Sequence, residues 1–311
     1  MSVENTDLLP ECREHTNMLK RVLAIFENEL LATVACEDAT HTFTALGLEQ
    51  ERARELFAYI QNIFFSGSCE NLPLPDIEQK ILARFASTKI GDRNIVQILD
   101  EKLADRAEII YSQISPHLQN IHGKALDFGA GDLQVTQMLQ DRDGLEIQGV
   151  DVRYYRKQGA MNPVGFTLYD GNTLSFNDRY FAVSVATNVL HHAGETDDGP
   201  RSQNNEQALS ELCRKKKKKL VIIETVPDPD YYAINAKGAM ERTFWNDYLY
   251  NRLFHNADVP VPGRYETLEG WPARFNKYGF RVISTIPLAY DQPTIRDYHV
   301  LYVLEHDSTI R

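Results

Sequence analysis

A short segment near the middle of the chain, residues 125–133 (ALDFGAGDL), constrains the fold more than any other feature. An apolar run there leads directly into closely spaced glycines. This pattern predicts a strand over residues 124–128, a tight turn through Gly129 and Gly131, and a helix after it. Glycine permits such a turn and lets the backbone approach a ligand, because no Cβ stands in the way. A strand, a glycine turn and a helix in this order are typical of α/β sheets that bind ligands at their carboxyl edge.

The chain beyond residue 124 alternates short apolar runs with helical patterns. This alternation predicts a parallel sheet with helices on both faces. The last two runs are joined by a short polar loop, so we expect an antiparallel pair at one end of the sheet. The predicted strands cover residues 124–128, 146–152, 165–169, 180–187, 220–224, 280–288 and 298–305.

The first third of the chain is predicted to be helical. Apolar residues such as Leu19, Val22 and Phe26 recur at helical spacing, and similar patterns continue to about residue 117. We predict a loop over residues 65–75, where Ser, Pro and Gly accumulate. The pattern indicates no strand before residue 124.

A division at residue 117 separates this helical region from the part that carries the glycine turn. We expect residues 1–117 to serve as a lid, a recognition module or a dimer interface, and residues 118–311 to form the ligand-binding domain. An insert over residues 225–267 is crowded with aromatic side chains, which either pack in a core or line a binding site. Its candidate substrate contacts are Trp245, Tyr248, Tyr250, Asn251 and His255.

An acidic composition narrows the range of partners. The chain of 311 residues carries a formal net charge of −11, so its average surface repels the phosphates of nucleic acids. A lysine run at 215–219 has no interleaved aromatic residues, and we expect it to be solvated. The four cysteines are scattered and no apolar run is long enough to span a membrane, so we expect a cytoplasmic protein.

Two further carboxylates follow the next two predicted strands. Asp151 ends the second strand, where a carboxylate can accept hydrogen bonds from both hydroxyls of a ribose. Asp170 and Gly171 follow the third strand, where a carboxylate can accept a hydrogen bond from an adenine amino group. Gln134 stands where a dinucleotide motif has its third glycine, which argues against a nicotinamide or flavin cofactor.

Several segments, taken in order and spacing, resemble the class I S-adenosylmethionine-dependent methyltransferases. The segments are LDFGAGD at 126–132, GVDV at 149–152, YDGNTLSF at 169–176, SVATNVLHH at 184–192 and LVIIE at 220–224. The resemblance implies an α/β, Rossmann-like, doubly wound sheet of seven mostly parallel strands with an antiparallel last strand, preceded here by the helical region. It also implies that S-adenosylmethionine (SAM) is the cofactor.

The resemblance further assigns cofactor contacts along the sheet edge. They are Asp127, Gly129 and Gly131 at the methionine part, Asp151 and Val152 at the ribose and adenine, Asp170 and Gly171 at the adenine amino group, and Asn188 and Val189 beside the sulfonium. Other roles stay open for some of them. The glycines suit an ordinary strand-to-helix turn, and Asp127 suits the fixing of a turn.

Two adjacent histidines, His191 and His192, follow the fourth predicted strand. Histidine can accept a proton from a hydroxyl or an amine at neutral pH, so either residue is a candidate general base. Alternatively, both pack against the cofactor or cap the next helix. No partner ligands lie at helical spacing from them, so we expect no metal site.

The resemblance implies an enzyme that transfers a methyl group, and we expect a small-molecule acceptor with oxygen as the favoured atom. The acidic surface and an aromatic insert that can roof a pocket favour this class of acceptor. Two alternatives stay open: a protein or RNA methyltransferase that uses the helical region for recognition, and a non-catalytic partner subunit that binds the cofactor. A homodimer formed through the helical region is also open.

Overall fold

The computed structural model describes residues 10–154, 164–193, 202–254, 261 and 265–306, and its first third is helical as predicted. The helices there are α1 (Pro10–Glu27), α2 (Glu29–Ala45), α3 (Gln50–Cys69), α4 (Leu74–Ser87) and α5 (Ile95–Ile114), with a 3-10 turn at Ser115–His117. None of the described helices is both long and apolar enough to cross a membrane.

The loop predicted over residues 65–75 is wrong in length. Helix α3 continues to Cys69 and α4 begins at Leu74, which leaves only residues 70–73 between them. Gly67 lies inside α3 at a point where this helix approaches α4 closely. A Cβ at Gly67 would come within 2.6 Å of Ile77 Cγ1. This glycine therefore allows two helices to pack and does not end one.

A two-stranded hairpin before α5 also corrects the expectation of no early strand. β1 (Lys89–Ile90) pairs with β2 (Arg93–Asn94), and Gly91 turns between them with a positive φ of 62°. Asn94 then caps α5, because its side chain accepts from the amide of Gln97 while the Gln97 side chain accepts from Asn94. Strands of two residues are too short to show an alternating pattern in the sequence.

The predicted mixed sheet is confirmed. Its strands are β3 (Lys124–Phe128), β4 (Glu146–Asp151), β5 (Gly165–Leu168), β6 (Phe181–Thr187), β7 (Lys216–Val226), β8 (Phe280–Ala289) and β9 (Tyr298–His306). They lie in the order β5-β4-β3-β6-β7-β9-β8, with β3 to β7 parallel and β9 antiparallel to both neighbours. The order reverses at β3, so the carboxyl ends of β3, β4 and β6 meet at the point where such sheets bind ligands.

Both faces of the sheet are covered, which explains why its central strands are apolar throughout. Leu126 and Ile222 face a core shared with α7 (Ser202–Lys215) and α10 (Gly270–Lys277). Ala125 and Val221 face the opposite core, shared with the second half of α5 and with α6 (Gln134–Asp143). Successive residues of each strand therefore serve different cores.

The aromatic insert belongs to a third core. It contains α8 (Pro229–Ile234), α9 (Ala236–Asp247) and a π-helical turn (Tyr248–Phe254). Side chains of α9 and of the π-helical turn share a single apolar core with α1–α4 and the start of α5. We call these packed elements the helical cap.

Buried ion pairs join the insert to the other helices of the cap. Arg252 of the π-helical turn binds Glu78 of α4 at 2.9 Å, with both side chains less than a tenth exposed. Arg242 of α9 binds Asp38 of α2 at 2.6 Å. Such pairs fix the position of an element, because either charge alone would be buried without compensation.

The prediction of five solvated lysines is wrong for Lys215. This residue ends α7 with 1% of its surface exposed, and its ammonium group donates to the carbonyl of Phe176. Lys219 lies in β7 and donates to the carbonyl of His117 at 2.7 Å. The aliphatic stem of lysine can be buried when the amino group finds acceptors. The lysine run therefore spans the end of α7 and the start of β7, which begins at Lys216.

Candidate functional site

The glycine turn folds back on the end of β4. The amides of Gly129 and Ala130 donate to the carbonyl of Val150 at 2.8 and 3.0 Å. The amide of Gly131 donates to Asp151 Oδ2 at 2.9 Å. All of these amides are bonded within the protein, so the turn offers no cradle of free N–H groups to a phosphate.

The two glycines serve different purposes. Both have a positive φ, 75° at Gly129 and 52° at Gly131. A Cβ at Gly129 would lie 2.3 Å from Val189 Cγ2, whereas one at Gly131 would meet nothing within 4 Å. Gly129 therefore allows the loop after β6 to pack against the turn, and Gly131 faces open space where a ligand can approach.

Asp127 ties the first strand to the helix after the turn. The side chain is buried and accepts a hydrogen bond of 2.5 Å from the hydroxyl of Thr136 in α6. Burial raises the pKa of Asp127 to about 6, which the bond from Thr136 opposes and the charge of Asp151 supports. This contact documents the alternative role of Asp127 in fixing the turn, and its role in cofactor binding stays a prediction.

Asp151 lies at the mouth of the turn. Its two carboxylate oxygens accept from different amides, Oδ2 from Gly131 and Oδ1 from Arg153 at 3.3 Å. Burial raises the pKa of this carboxyl above its usual value, although the surrounding amides lower it. The next side chain, Val152, is 53% exposed and offers an apolar surface beside the carboxylate.

Asp170 and Gly171 form a tight turn after β5. Asp170 Oδ1 accepts from the amides of Asn172 and Thr173, each at 2.8 Å. These bonds lower the pKa of the exposed Asp170 carboxyl. Gly171 has a φ of 84°, and no atom lies within 4 Å of the position its Cβ would occupy.

Glu224 holds the loop that follows β6. This carboxylate in β7 is fully buried and accepts from the amides of Val189, Leu190 and His191 at 3.2, 2.7 and 3.3 Å. Sequence reasoning did not single out Glu224, although a carboxylate in the otherwise apolar segment LVIIE is a signal that could have found it.

Asn188 begins this loop with a positive φ of 49°. Its carboxamide is buried, and neither polar atom of the side chain has a hydrogen-bond partner within the described part of the chain. Leaving a buried carboxamide without hydrogen bonds costs about 1–3 kcal/mol. The Asn188 side chain therefore suits a ligand that offers both a donor and an acceptor.

His191 is oriented by the same glutamate. Its Nδ1 lies 2.6 Å from Glu224 Oε2, and the residue is 4% exposed. Burial alone would lower the pKa of His191, but the charge and hydrogen bond of Glu224 outweigh it and raise the pKa. The ring of His192 follows at 4.0 Å, and that of Tyr265 lies 5.9 Å away.

Two buried carboxylates from other elements face His191. Asp247, the last residue of α9, accepts from the hydroxyl of Tyr265 and from the side-chain amide of Asn251. Asp297 lies in the loop before β9, where burial and the nearby charge of Asp247 raise its pKa to about 8. Sequence reasoning missed both, because nothing local indicates that the insert and this loop meet at the sheet.

The predicted substrate contacts of the insert fall in different places. Trp245 and Tyr248 lie in the core of the helical cap, where the indole donates to the carbonyl of Ala35 and the Tyr248 hydroxyl to Glu78. These contacts document packing, and a role in acceptor binding stays untested. The guanidinium of Arg106 lies 5.6 Å from the centroid of the Tyr250 ring. The side-chain amide of Asn251 donates to Asp247. His255 lies outside the described residues.

Comparison with known proteins gives structural matches only. No protein-family model matches the sequence, and no curated protein matches it significantly. A SAM-dependent methyltransferase from Methanosarcina mazei matches 62% of this chain and 97% of its own length, at 13% identity and a TM-score of 0.46. The magnesium protoporphyrin IX methyltransferase of Synechocystis, solved with S-adenosylhomocysteine (SAH), matches 74% of this chain and 93% of its own length, at 10% identity and a TM-score of 0.43.

These matched proteins are of the kind that the sequence motifs resemble. The strand order and the antiparallel β9 agree with the sheet that the resemblance implies. The fold is a Rossmann-like α/β sheet preceded by a helical region. A fold does not fix an activity, so the function of this chain is argued from its own site.

Proposed function

We propose that this protein is a SAM-dependent methyltransferase that acts on a small molecule, with an oxygen as the accepting atom. The observation that carries the proposal is the glycine turn. Its amides are bonded to Val150 and Asp151, and the carboxylates of Asp127, Asp132 and Asp151 lie close enough there to interact electrostatically. This arrangement suits a cationic nucleoside and disfavours the phosphates of a dinucleotide.

The residues at the sheet edge fit the parts of SAM in order. Asp151 would accept from the ribose hydroxyls, and the exposed Val152 would contact the adenine, whose amino group would reach Asp170. No atom lies within 4 Å of the positions that a Cβ would occupy at Gly131 and Gly171, so both turns leave space for a ligand. The unpaired carboxamide of Asn188 would bind polar atoms near the sulfonium.

When bound, SAM supplies a methyl group on a positive sulfonium. In the transfer, the C–S bond breaks with its electron pair staying on sulfur, a C–O bond forms, and the acceptor hydroxyl loses its proton. The chain must hold the acceptor oxygen in line with the C–S bond and exclude water from the site. This positioning supplies most of the rate acceleration. The proposed catalytic residues are His191 and His192, either of which can take the proton.

The position of these histidines favours a small acceptor. His191 is buried within the loop that Glu224 holds, and Asp247 of the insert lies beside it. A side chain of a protein or a base of RNA would have to enter this buried region. Among the predicted acceptor contacts, Asn251 donates to Asp247, and Tyr250 interacts electrostatically with Asp297.

Calorimetric titration with SAM and SAH tests the cofactor part of the proposal. The wild type and an Asp92→Ala variant, which loses an exposed carboxylate far from the sheet edge, should bind both ligands. Asp151→Ala should lose most of this affinity while its unfolding transition without ligand changes little. Failure of the folded wild type to bind either ligand, or equal binding by Asp151→Ala, would contradict the proposal.

A further inference from the structure

Three side chains from two distant parts of the sequence meet beside the carboxyl edge of the sheet. One ring nitrogen each of His191 and His192 and one carboxylate oxygen of Asp247 lie within 4.8 Å of one another. We propose that these three side chains, the His–His–Asp cluster, bind a divalent transition-metal ion that holds the oxygen of the methyl acceptor. This departs from the expectation, drawn from sequence spacing alone, that the chain has no metal site.

Glu224 prepares His191 as a ligand. Because Nδ1 of His191 lies 2.6 Å from the Glu224 carboxylate, the ring proton sits on Nδ1 and the lone pair on Nε2. Histidines that bind metals commonly donate their other ring N–H to a carboxylate in this way, which fixes the ring and makes it a stronger ligand. Three backbone amides in turn hold Glu224 in place.

Asp247 is prepared in the same manner. Tyr265 donates to Oδ2 and Asn251 to Oδ1, so the carboxylate cannot rotate freely. Asp247 is 2% exposed, and both donors are uncharged. A buried carboxylate whose hydrogen bonds come from neutral groups is stabilised by a nearby cation.

A third buried acid lies beside the cluster. Asp297 interacts electrostatically with Asp247 and His191, and its Oδ1 has no hydrogen-bond partner among the described residues. Since its pKa is raised to about 8, Asp297 is mostly neutral at pH 7. The charge of the site therefore comes from Asp247 and Glu224, and a divalent cation between Asp247 and the imidazoles would balance these two carboxylates.

The ligand types define the class of ion. Two imidazoles and one carboxylate suit Zn²⁺, Co²⁺, Fe²⁺ or Mn²⁺, whereas Mg²⁺ and Ca²⁺ prefer oxygen ligands alone. Three protein ligands leave coordination positions open, as in catalytic rather than structural sites. An acceptor hydroxyl bound there would release its proton to solvent at neutral pH, because the ion lowers its pKa.

This role in the reaction rests on the proposed function, whereas binding of the ion does not. The two schemes differ in what the histidines do. As ligands, His191 and His192 hold the ion and are not available as a base. Measurements of metal binding without SAM therefore test the cluster by itself.

The test uses the full chain without a polyhistidine tag, stripped with a chelator and titrated with Zn²⁺ against a chromophoric chelator. The variants are His192→Ala and Asp247→Asn, with His122→Ala as a control that removes an exposed histidine. The wild type and His122→Ala should bind one equivalent of Zn²⁺. Loss of an outer partner alone weakens metal binding by about 10–100-fold, so each ligand variant should lose at least that much.

Co²⁺ supplies a second measurement, because its visible absorption reports the ligands directly. The bands expected for the wild type should be absent in His192→Ala, a half-buried position where alanine leaves the core intact. Less than one equivalent of Zn²⁺ in the wild type, or unchanged affinity in His192→Ala, would overturn the metal site. SAM titrations on the same samples separate the proposals: SAM binding without Zn²⁺ binding overturns only the cluster, and the reverse overturns only the proposed function.

Discussion

Two halves of the same sheet edge are built in different ways. The cofactor half consists of the glycine turn, Asp151 and Asp170, and its bonds join neighbouring strands or run to nearby amides. The acceptor half consists of the His–His–Asp cluster with Glu224 and Asp297, and its side chains come from the sheet, the insert and the loop before β9. The first half needs only the sheet, whereas the second also needs the helical cap in its docked position.

The forces that hold the two halves differ accordingly. The sheet lies between two apolar cores, which cover both of its faces. The insert that carries Asp247 is fixed to the other cap helices by buried ion pairs as well as apolar contacts. Changes in charge should therefore affect the acceptor half more than the cofactor half, and three sets of variants examine how the two halves differ.

The largest effect is expected from Glu78→Ala. This change removes the buried carboxylate that Arg252 binds, and it removes the acceptor of the Tyr248 hydroxyl, which lies at 2.7 Å. Breaking a buried pair in this way lowers the free energy of unfolding by about 3–5 kcal/mol. Urea denaturation measures the loss, and SAM affinity of the folded fraction should be retained.

Two controls sharpen this result. Glu108→Ala removes an exposed partner of Arg142 on the sheet side and should leave the unfolding midpoint unchanged. A Glu78→Leu and Arg252→Leu double variant should recover much of the lost stability, because no unpaired charge remains. Wild-type stability in Glu78→Ala would show that the ion pair does not fix the insert.

The next effect concerns Asp127, the charge buried within the cofactor half. Its folded-state pKa of about 6 lies above the ordinary 3.8, so between these values the folded protein holds a proton that the unfolded chain has lost. Stability should therefore fall as pH rises from about 4 to about 6, by roughly 3 kcal/mol at about 1.4 kcal/mol per pKa unit.

Asp127→Asn removes this titration while keeping an oxygen for the Thr136 hydroxyl. Urea denaturation across the same pH range should show a shallower slope in the variant, and above pH 6 the variant should be at least as stable as the wild type. An unchanged slope would mean that Asp127 is already ionised below pH 4.

The smallest effect separates the two glycines of the turn. Alanine at either position adopts a left-handed conformation at a cost of about 1–2 kcal/mol. At Gly129 the new Cβ also overlaps Val189, which adds about 1–3 kcal/mol, whereas at Gly131 it enters open space.

Thermal unfolding without ligand should therefore rank Gly131→Ala above Gly129→Ala in stability. SAM titration should show weakened binding in Gly131→Ala as well, because its Cβ enters the space assigned to the ligand. Normal SAM affinity in Gly131→Ala would place the cofactor elsewhere, and equal stability of the two variants would contradict the packing of Val189 on the turn.

The strands and turns that form the proposed cofactor half could be predicted from the sequence because their signals are local. Strand β3, the turn and α6 follow one another directly, and Asp151 and Asp170 each come at or just after the end of a strand. In a parallel sheet the carboxyl ends of strands share one edge, so position in the sequence predicts position in space.

The acceptor half could not be read in this way. Asp247 and Asp297 come close to His191 through tertiary contacts of α9. Trp245 of α9 donates to the carbonyl of Ala35 in α2, and Asn246 donates to the carbonyl of Arg296 in the loop before β9. Such contacts depend on tertiary packing, which has no short-range signature. Trp245 and Tyr248 show the same limit, because an aromatic pattern alone does not distinguish a core from the wall of a binding site.

The central claim is that the glycine turn and its carboxylates hold SAM beside the loop that Glu224 fixes. A crystal structure of the protein with SAH examines this most directly. The account predicts that the ribose hydroxyls lie within hydrogen-bonding distance of Asp151, the adenine contacts Val152, and the sulfur points toward Asn188 and the His–His–Asp cluster. SAH bound away from the glycine turn, or with its sulfur turned away from this loop, would contradict it.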